Sequence, residues 1–221
     1  MITSVSGVIE PVTIADNFAS YFSRVCSSNS VSGAARLKDE YDRMRSTYSD
    51  SCTVSVSCFD AELVENITSD MKRGKAADID GITVEHLHYS HSLLSCVLAK
   101  LFNIMISAGK VPTKFGQSYT VPILEDSTSV YSKTATVSDF RGISISPVVS
   151  KVFEHCVLER FGRFFCTSDN QFGFKKKSGC THAIYSLKCV VDYYIRHGST
   201  VNICTLDLSK AFDKMNHYGV C

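Results

Sequence analysis

Between Ser92 and Gly109 the chain places Leu93, Leu94, Val97, Leu98, Leu101, Phe102, Met105 and Ile106 at helical spacing, and Gly109 and Pro112 mark the end. A helix that is apolar over most of its circumference is expected to be buried, so the flanking segments have to supply neighbours to surround it. They do carry such patterns. Asp60 is placed to cap a helix whose Leu63, Val64, Ile67 and Met71 form one face and whose end is marked by Gly74. Ser146-Pro147 reads as an N-cap with proline at the first helical position, opening a helix to about Phe165 with Val148, Val152, Phe153, Val157 and Phe161 on one face. A further helix is expected from Cys180 to His197, ended by Gly198. Ser118–Leu124 and Arg141–Ile145 read as short strands flanking a polar loop, Asp126–Asp139. Thr200–Leu208 is a β-rich run that delivers Asp207 at its end, with Ser209 as a cap for a short helix through Met215. Helices and strands in this order give an α+β chain.

The first part of the sequence is less patterned. Ile14–Val25 carries Phe18, Tyr21, Phe22 and Val25 at helical spacing, but twelve of the thirty-five residues 23–57 are Ser or Thr, which reads as linker. The expected organisation is therefore a linker with a short helix over 1–58, a helical and hairpin region over 59–199, and a strand followed by a short helix over 200–221. The 221 residues carry a net charge of only +1, so no global field draws the chain to a polyanion. That charge is unevenly spread: residues 1–70 hold five basic and ten acidic side chains, residues 71–221 eighteen and twelve. Ten cysteines occur without any CxxC, which argues against zinc from paired cysteines; six lie in or beside apolar segments as small hydrophobes. With no signal-peptide pattern at Met1 and no run of ~18 apolar residues, the expectation is a soluble intracellular protein with reduced thiols. Nothing in the sequence separates nucleus from cytoplasm.

Three constellations carry chemistry. Asp207, at the carboxyl end of an apolar run, is by position first a cap for the next helix, and it is also a hard oxygen donor of the kind Mg²⁺ takes in phosphoryl-transfer sites. Lys72, Arg73 and Lys75 surround Gly74 ahead of an Asp-Gly turn. They suit a nucleic-acid backbone, or the basic end of a helix. Gln171-Phe172-Gly173-Phe174 followed by Lys175, Lys176 and Lys177 interleaves rings with cations, and no acidic residue appears from Gln171 to Lys188. That composition serves single-strand binding, or a solvated loop anchored by its rings. His86, His88 and His91 lack metal-ligand spacing, and no GxxxxGK[ST], GxSxG or HExxH is present.

The order of these segments is more specific than any one of them. Gly74-Lys-Ala-Ala-x-x-Asp-Gly-Ile82, Leu101-Phe-Asn103, Gly109-x-x-Pro112, Val121-Pro-Ile123, Phe140-Arg-Gly-Ile-Ser144, Lys151-Val-Phe-Glu154, Gln171-Phe-Gly-Phe174 and Leu206-Asp-Leu-Ser-Lys-Ala-Phe-Asp213 follow one another with compatible gaps, and Asn216-His217 comes after them. Over roughly residues 60–218 the chain resembles non-LTR (LINE-type) retrotransposon reverse transcriptases.

The resemblance implies the fingers and first palm strand of a right-hand polymerase fold, truncated before the palm is complete. The parent activity is RNA-directed DNA synthesis, in which a primer 3′-hydroxyl attacks the α-phosphate of a dNTP and expels pyrophosphate. It implies Asp207 as the first catalytic aspartate and, with the carbonyl of Leu208, as a contact to Mg²⁺ or Mn²⁺. Arg141 and Phe212 become nucleotide-binding residues, the first gripping the triphosphate and the second stacking beneath the sugar. Lys72, Arg73, Lys75, Gln171, Phe172, Gly173, Lys175, Lys176 and Lys177 become template contacts. The implied partners are RNA template, DNA primer and dNTP, with no membrane and no small-molecule cofactor. The chain also departs from the family pattern. Asp78 and Ile79 stand where Gly and Pro are usual, Glu125 for Lys, Gly142 for Pro and Phe115 for Trp. It contains no Asp-Asp pair, whereas two-metal transfer needs carboxylates from a second segment, so the chain is expected to lack transfer activity alone. A non-catalytic RNA- or DNA-binding module using the basic patches is the competing expectation.

Overall fold

A computed structural model describes residues 4–27, 30–47, 58–125, 135–165, 167–175, 177–208, 211 and 213–219. They form two compact units, one of Met1–Arg160 with Lys210–Cys221 and one of Phe161–Ser209.

The first unit is built around Phe59. Helix α3 (Ala61–Asp70) starts where Asp60 predicts, its carboxylate accepting the Leu63 N–H at 2.8 Å. It stops at Asp70, short of Gly74, because Met71 turns extended and the residues beyond it are held in a loop. A one-turn helix, α4 (Val84–His88), follows; the long helix α5 (Leu93–Ala108) ends on Gly109 in the left-handed region. Helix α6 (Val148–Phe161) begins directly after Pro147 and gives way to a 3₁₀ turn before the expected Phe165. Phe59, Val64, Phe102, Val152 and Cys156 are the largest fully buried side chains among the described residues. The rings of Phe59, Phe102 and Phe153 meet at centroid separations of 5.2 to 6.3 Å, in edge and tilted arrangements that aromatic quadrupoles favour.

Asn103 fixes this core to the chain entering it. Its Oδ1 accepts the Phe59 N–H at 3.0 Å, and its Nδ2 donates to the carbonyls of Phe59 at 2.7 Å and Ala99 at 2.9 Å. Arg160 closes the other side by donating to the Cys58 carbonyl at 2.6 Å. The expectation that α5 is surrounded is corrected here. Leu98, Ala99, Phe102 and Met105 are buried, but Leu93, Val97 and Ile104, on another face, are exposed. The described elements that pack on α5 reach only one side of it.

Strands β1 (Tyr119–Leu124) and β2 (Phe140–Ile145) form the expected antiparallel hairpin, with Tyr119 opposite Ile145 and Leu124 opposite Phe140. Most of the loop between them lies outside the described residues. One face is covered by α1 (Pro11–Val25), whose Phe18 meets Phe140 edge-on at 5.0 Å and whose Phe22 lies over Gly142. The other face carries Val121, Ile123, Arg141 and Ile143 and is open.

Within 23–57, read above as linker, a 17-residue helix α2 (Val31–Thr47) is present. Its Leu37 lies against Gly219 and its Tyr41 ring is 5.5 Å from that of Tyr218, so the 3₁₀ turn His217–Gly219 covers it. Ser/Thr content averaged over the whole stretch hid the good helix formers that predominate from Ala34 to Arg45.

In the second unit, α7 (Cys180–Arg196) has its expected limits but no buried residue. The strand expected over Thr200–Leu208 is not formed: these residues have no regular secondary structure. Extended propensity makes a strand only when a neighbour takes its N–H and C=O groups, and the sheet of the described residues pairs β1 with β2 alone. The helix expected from Ser209 to Met215 falls partly outside the described residues; Ala211, Asp213 and Lys214 lie in turns. Of the six cysteines read as small hydrophobes, Cys156 alone is buried; Cys26, Cys96, Cys180, Cys189 and Cys204 are exposed. No helix of the described residues is long and apolar enough to cross a membrane.

Candidate nucleic-acid interface

The loop joining α3 to α4 holds the first basic patch, and its shape follows from a short series of backbone contacts. Gly74 takes φ +73°, a region open to glycine at little cost, and donates its N–H to the Glu85 carboxylate. That bond is the main reason the Glu85 carboxyl is held below the usual carboxylate range; the Glu85 N–H, the Thr83 hydroxyl and the charge of Arg73 act in the same direction. Further along, the Asp78 N–H donates to the Ile82 carbonyl at 2.9 Å and the Gly81 N–H to the Asp78 carbonyl at 3.0 Å, with Gly81 at φ +76°. The Tyr119 hydroxyl on β1 donates to the Ala77 carbonyl at 2.7 Å, and Lys114 pairs with Asp80 at 3.2 Å.

On this frame Lys72, Arg73 and Lys75 are all exposed. Arg73 donates to the Tyr89 hydroxyl at 3.1 Å, while Lys72 and Lys75 pair with no carboxylate among the described residues. Three cations on one fixed loop beside a close-approach glycine can neutralise neighbouring phosphates.

Arg141 stands on the open face of the hairpin, opposite Ile123 in the register. Its Nε donates to Glu125 at 3.2 Å, and both side chains are largely exposed. With Ile123, Leu124 and Ile143 they line a shallow cleft of about 480 Å³. The residue named from the resemblance as gripping a triphosphate is thus already paired with a carboxylate, one that stands where the family usually has lysine.

The second basic patch lies in the second unit. Gln171 closes back on its own turn, donating to the Gly173 carbonyl at 3.1 Å. Phe172 is half-buried, and Phe174, at φ +57°, is 90% exposed. Lys175 pairs at 3.4 Å with Asp169, which lies just upstream of the acid-free run that begins at Gln171; Lys177 is exposed. Lys176 lies outside the described residues, as does Phe212.

Asp207 and Leu208 are exposed on the irregular segment that follows α7. Among the described residues no three His, Cys, Asp or Glu side chains gather as a metal-ligand group. Asp207 and the Leu208 carbonyl supply one carboxylate and one backbone oxygen, and two cations in a transfer site take carboxylates from a second segment as well. The structure therefore groups Lys72, Arg73 and Lys75 on one loop and, of the second patch, Gln171, Phe172, Gly173, Lys175 and Lys177 on another. Arg141 stands on the first unit's hairpin and Asp207 in the second unit.

The residue that sequence reasoning missed is Asp78. The Asp-x-Asp-Gly spacing marks the turn it sits in, but nothing in the sequence signals its bond to α6, seventy residues on. Asn103 stands out in the sequence only as part of a motif; its grip on Phe59 is likewise a long-range fact.

No family model matches the chain. Over 144 residues, 64% of its length, it is 26% identical to the retrovirus-related Pol polyprotein from the type-2 retrotransposable element R2DM of Drosophila melanogaster. It spans 13% of that polyprotein. The similarity relates the chain, distantly, to a retrotransposon polyprotein, which agrees with the coarser part of the resemblance read from its motifs.

Proposed function

We propose that this chain is the fingers and first palm segment of an RNA-directed DNA polymerase of a non-LTR retrotransposon, and that what it does by itself is hold a nucleic-acid backbone. The distant similarity to a retrotransposon Pol polyprotein supports the first half. The observation that carries the second is the loop from Lys72 to Ile82, where three exposed cations ride on backbone held by Glu85, Tyr119 and Asp78. Phosphate contacts of this kind are sequence-independent and weaken with salt. On this reading the Gln171–Lys177 loop adds a second contact, with Phe172 and Phe174 as stacking rings. Arg141 and Phe212 are nucleotide contacts of the parent enzyme, and Asp207 with Leu208 its first metal-binding position.

The test is the affinity of the purified chain for single-stranded RNA across a salt series, for wild type, Lys72→Ala/Lys75→Ala and Lys175→Ala/Lys177→Ala. The expected result is a steep salt dependence that flattens in the first double variant by about 1 unit of slope for each phosphate no longer neutralised. Affinity indifferent to salt and to these lysines would remove the binding half. Mg²⁺-dependent primer extension by the pure chain, abolished in Asp207→Asn, would overturn the claim that binding is all it does.

A further inference from the structure

Asp78 is the buried charged side chain of the described residues, 6% exposed. A carboxylate taken out of water has to be satisfied by donors, and this one is. Oδ1 accepts the N–H of Asp80 at 3.0 Å and of Ile82 at 2.8 Å, both within its own turn. Oδ2 accepts the N–H of Val148 at 2.8 Å, in the first turn of α6. That N–H has no partner within its helix, and the positive end of the helix favours an anion there. One side chain thus shapes the loop locally and fastens it to a helix seventy residues away.

The chain has other ways to end α3 and start α4. What the Asp78 bonds add is a defined path for the backbone between Asp78 and Ile82 and its link to α6, continuing a loop bonded at Gly74 by Glu85 and at Ala77 by Tyr119, with Lys114 paired to Asp80. Cations on a mobile loop lose conformational freedom when they bind; cations on a fixed one have already lost it. A glycine at this position, which the family pattern usually has, offers no carboxylate for either bond.

Resting on the binding function proposed above, we propose that Asp78 is the positioning residue of this interface: it clasps residues 72–82 to α6 so that Lys72, Arg73 and Lys75 meet a nucleic-acid backbone as one preformed group. Its own side chain touches no ligand.

The experiment compares wild type, Asp78→Ala, Asp78→Asn and Lys72→Ala/Lys75→Ala, each checked for a native circular dichroism spectrum at the working temperature. Affinity for a 20-nucleotide oligouridine is measured by fluorescence anisotropy over a salt series. Asp78→Ala removes both halves of the clasp, and its affinity and salt slope should fall toward those of the double lysine variant, a drop of about 1 unit of slope for each phosphate released. Asp78→Asn keeps an acceptor for Asp80 and Ile82 but turns an amide toward the Val148 N–H, so an intermediate slope is expected, with faster amide exchange in 72–82. A residue needed only for stability lowers the melting temperature and leaves the slope of the folded protein unchanged; a wild-type slope in both Asp78 variants overturns the proposal. Should Asp78→Ala not fold, Asp78→Asn decides by the same slope. The lysine variant separates the two ideas: if it binds like wild type, phosphate binding by the 72–82 loop itself fails, and if it alone loses binding only the role of Asp78 fails.

Discussion

At the scale of single residues the first unit depends on a few polar groups that close distances the sequence does not reveal. Asn103 is the clearest. Asn103→Ala leaves the Phe59 N–H without its partner in a part-buried site, and should lower the unfolding free energy by about 1–3 kcal/mol in urea titration. Cys156 gives a pH signature. Burial, and secondarily the charge of Asp60, push its thiol up to about 11 from an ordinary 9.0. The folded state therefore holds this proton where the unfolded state has released it. The associated stability is present below pH ~9 and is lost as pH rises toward ~11. The difference in stability between wild type and Cys156→Ala should shrink over that window; an unchanged difference would mean the thiol is not buried as described. The Asp60 cap was legible because capping is local and its residue types are few. The partners of Asn103 and Asp78 lie 44 and 70 residues away, and no local pattern encodes such distances.

Elements were read well where one helix face or one strand pair decides the matter. The hairpin, α6 and α7 appear close to where periodicity and breakers put them, because those signals report local geometry directly. The failures have physical causes as well. Helix α2 was hidden by its serine-rich surroundings, although Leu37, Tyr41 and Met44 follow helical spacing. Thr200–Leu208 has the residue types of a strand without a strand partner among the described residues. Contact between elements yields two predictions. A β-carbon at Gly142 would lie 2.9 Å from Thr120 Cγ2 and 3.1 Å from the Phe22 ring, so Gly142→Ala should loosen α1 from the hairpin. The expected cost is about 1–3 kcal/mol in thermal or urea unfolding, with proteolysis between α1 and α2 accelerated. Glu125→Lys breaks an exposed ion pair and should change stability by no more than about 1 kcal/mol. It should also raise the affinity of the hairpin for inorganic triphosphate, measured by calorimetry, because Arg141 loses its neutralising partner and gains a second cation. Equal triphosphate binding in both proteins would mean that Glu125 does not restrain Arg141.

At the scale of the whole molecule, the net charge of +1 says little, and the distribution of charge says more. The excess of basic groups after residue 70 resolves into two loops, each in its own compact unit, that differ in construction. The Lys72–Ile82 loop is tied to α4, β1 and α6, whereas the Gln171–Lys177 loop is closed mainly on itself. Both were visible in the sequence as compositions, but that one of them is bonded to three other elements was not. The most direct measurement is photo-crosslinking of the full chain to a 4-thiouridine-substituted RNA, with the crosslinked peptides identified by mass spectrometry. Crosslinks should concentrate on peptides covering 72–89 and 171–179 and should disappear at high salt. Crosslinks concentrated on α1 and α2, or spread evenly over the chain and unaffected by salt, would contradict a nucleic-acid interface built on these two loops.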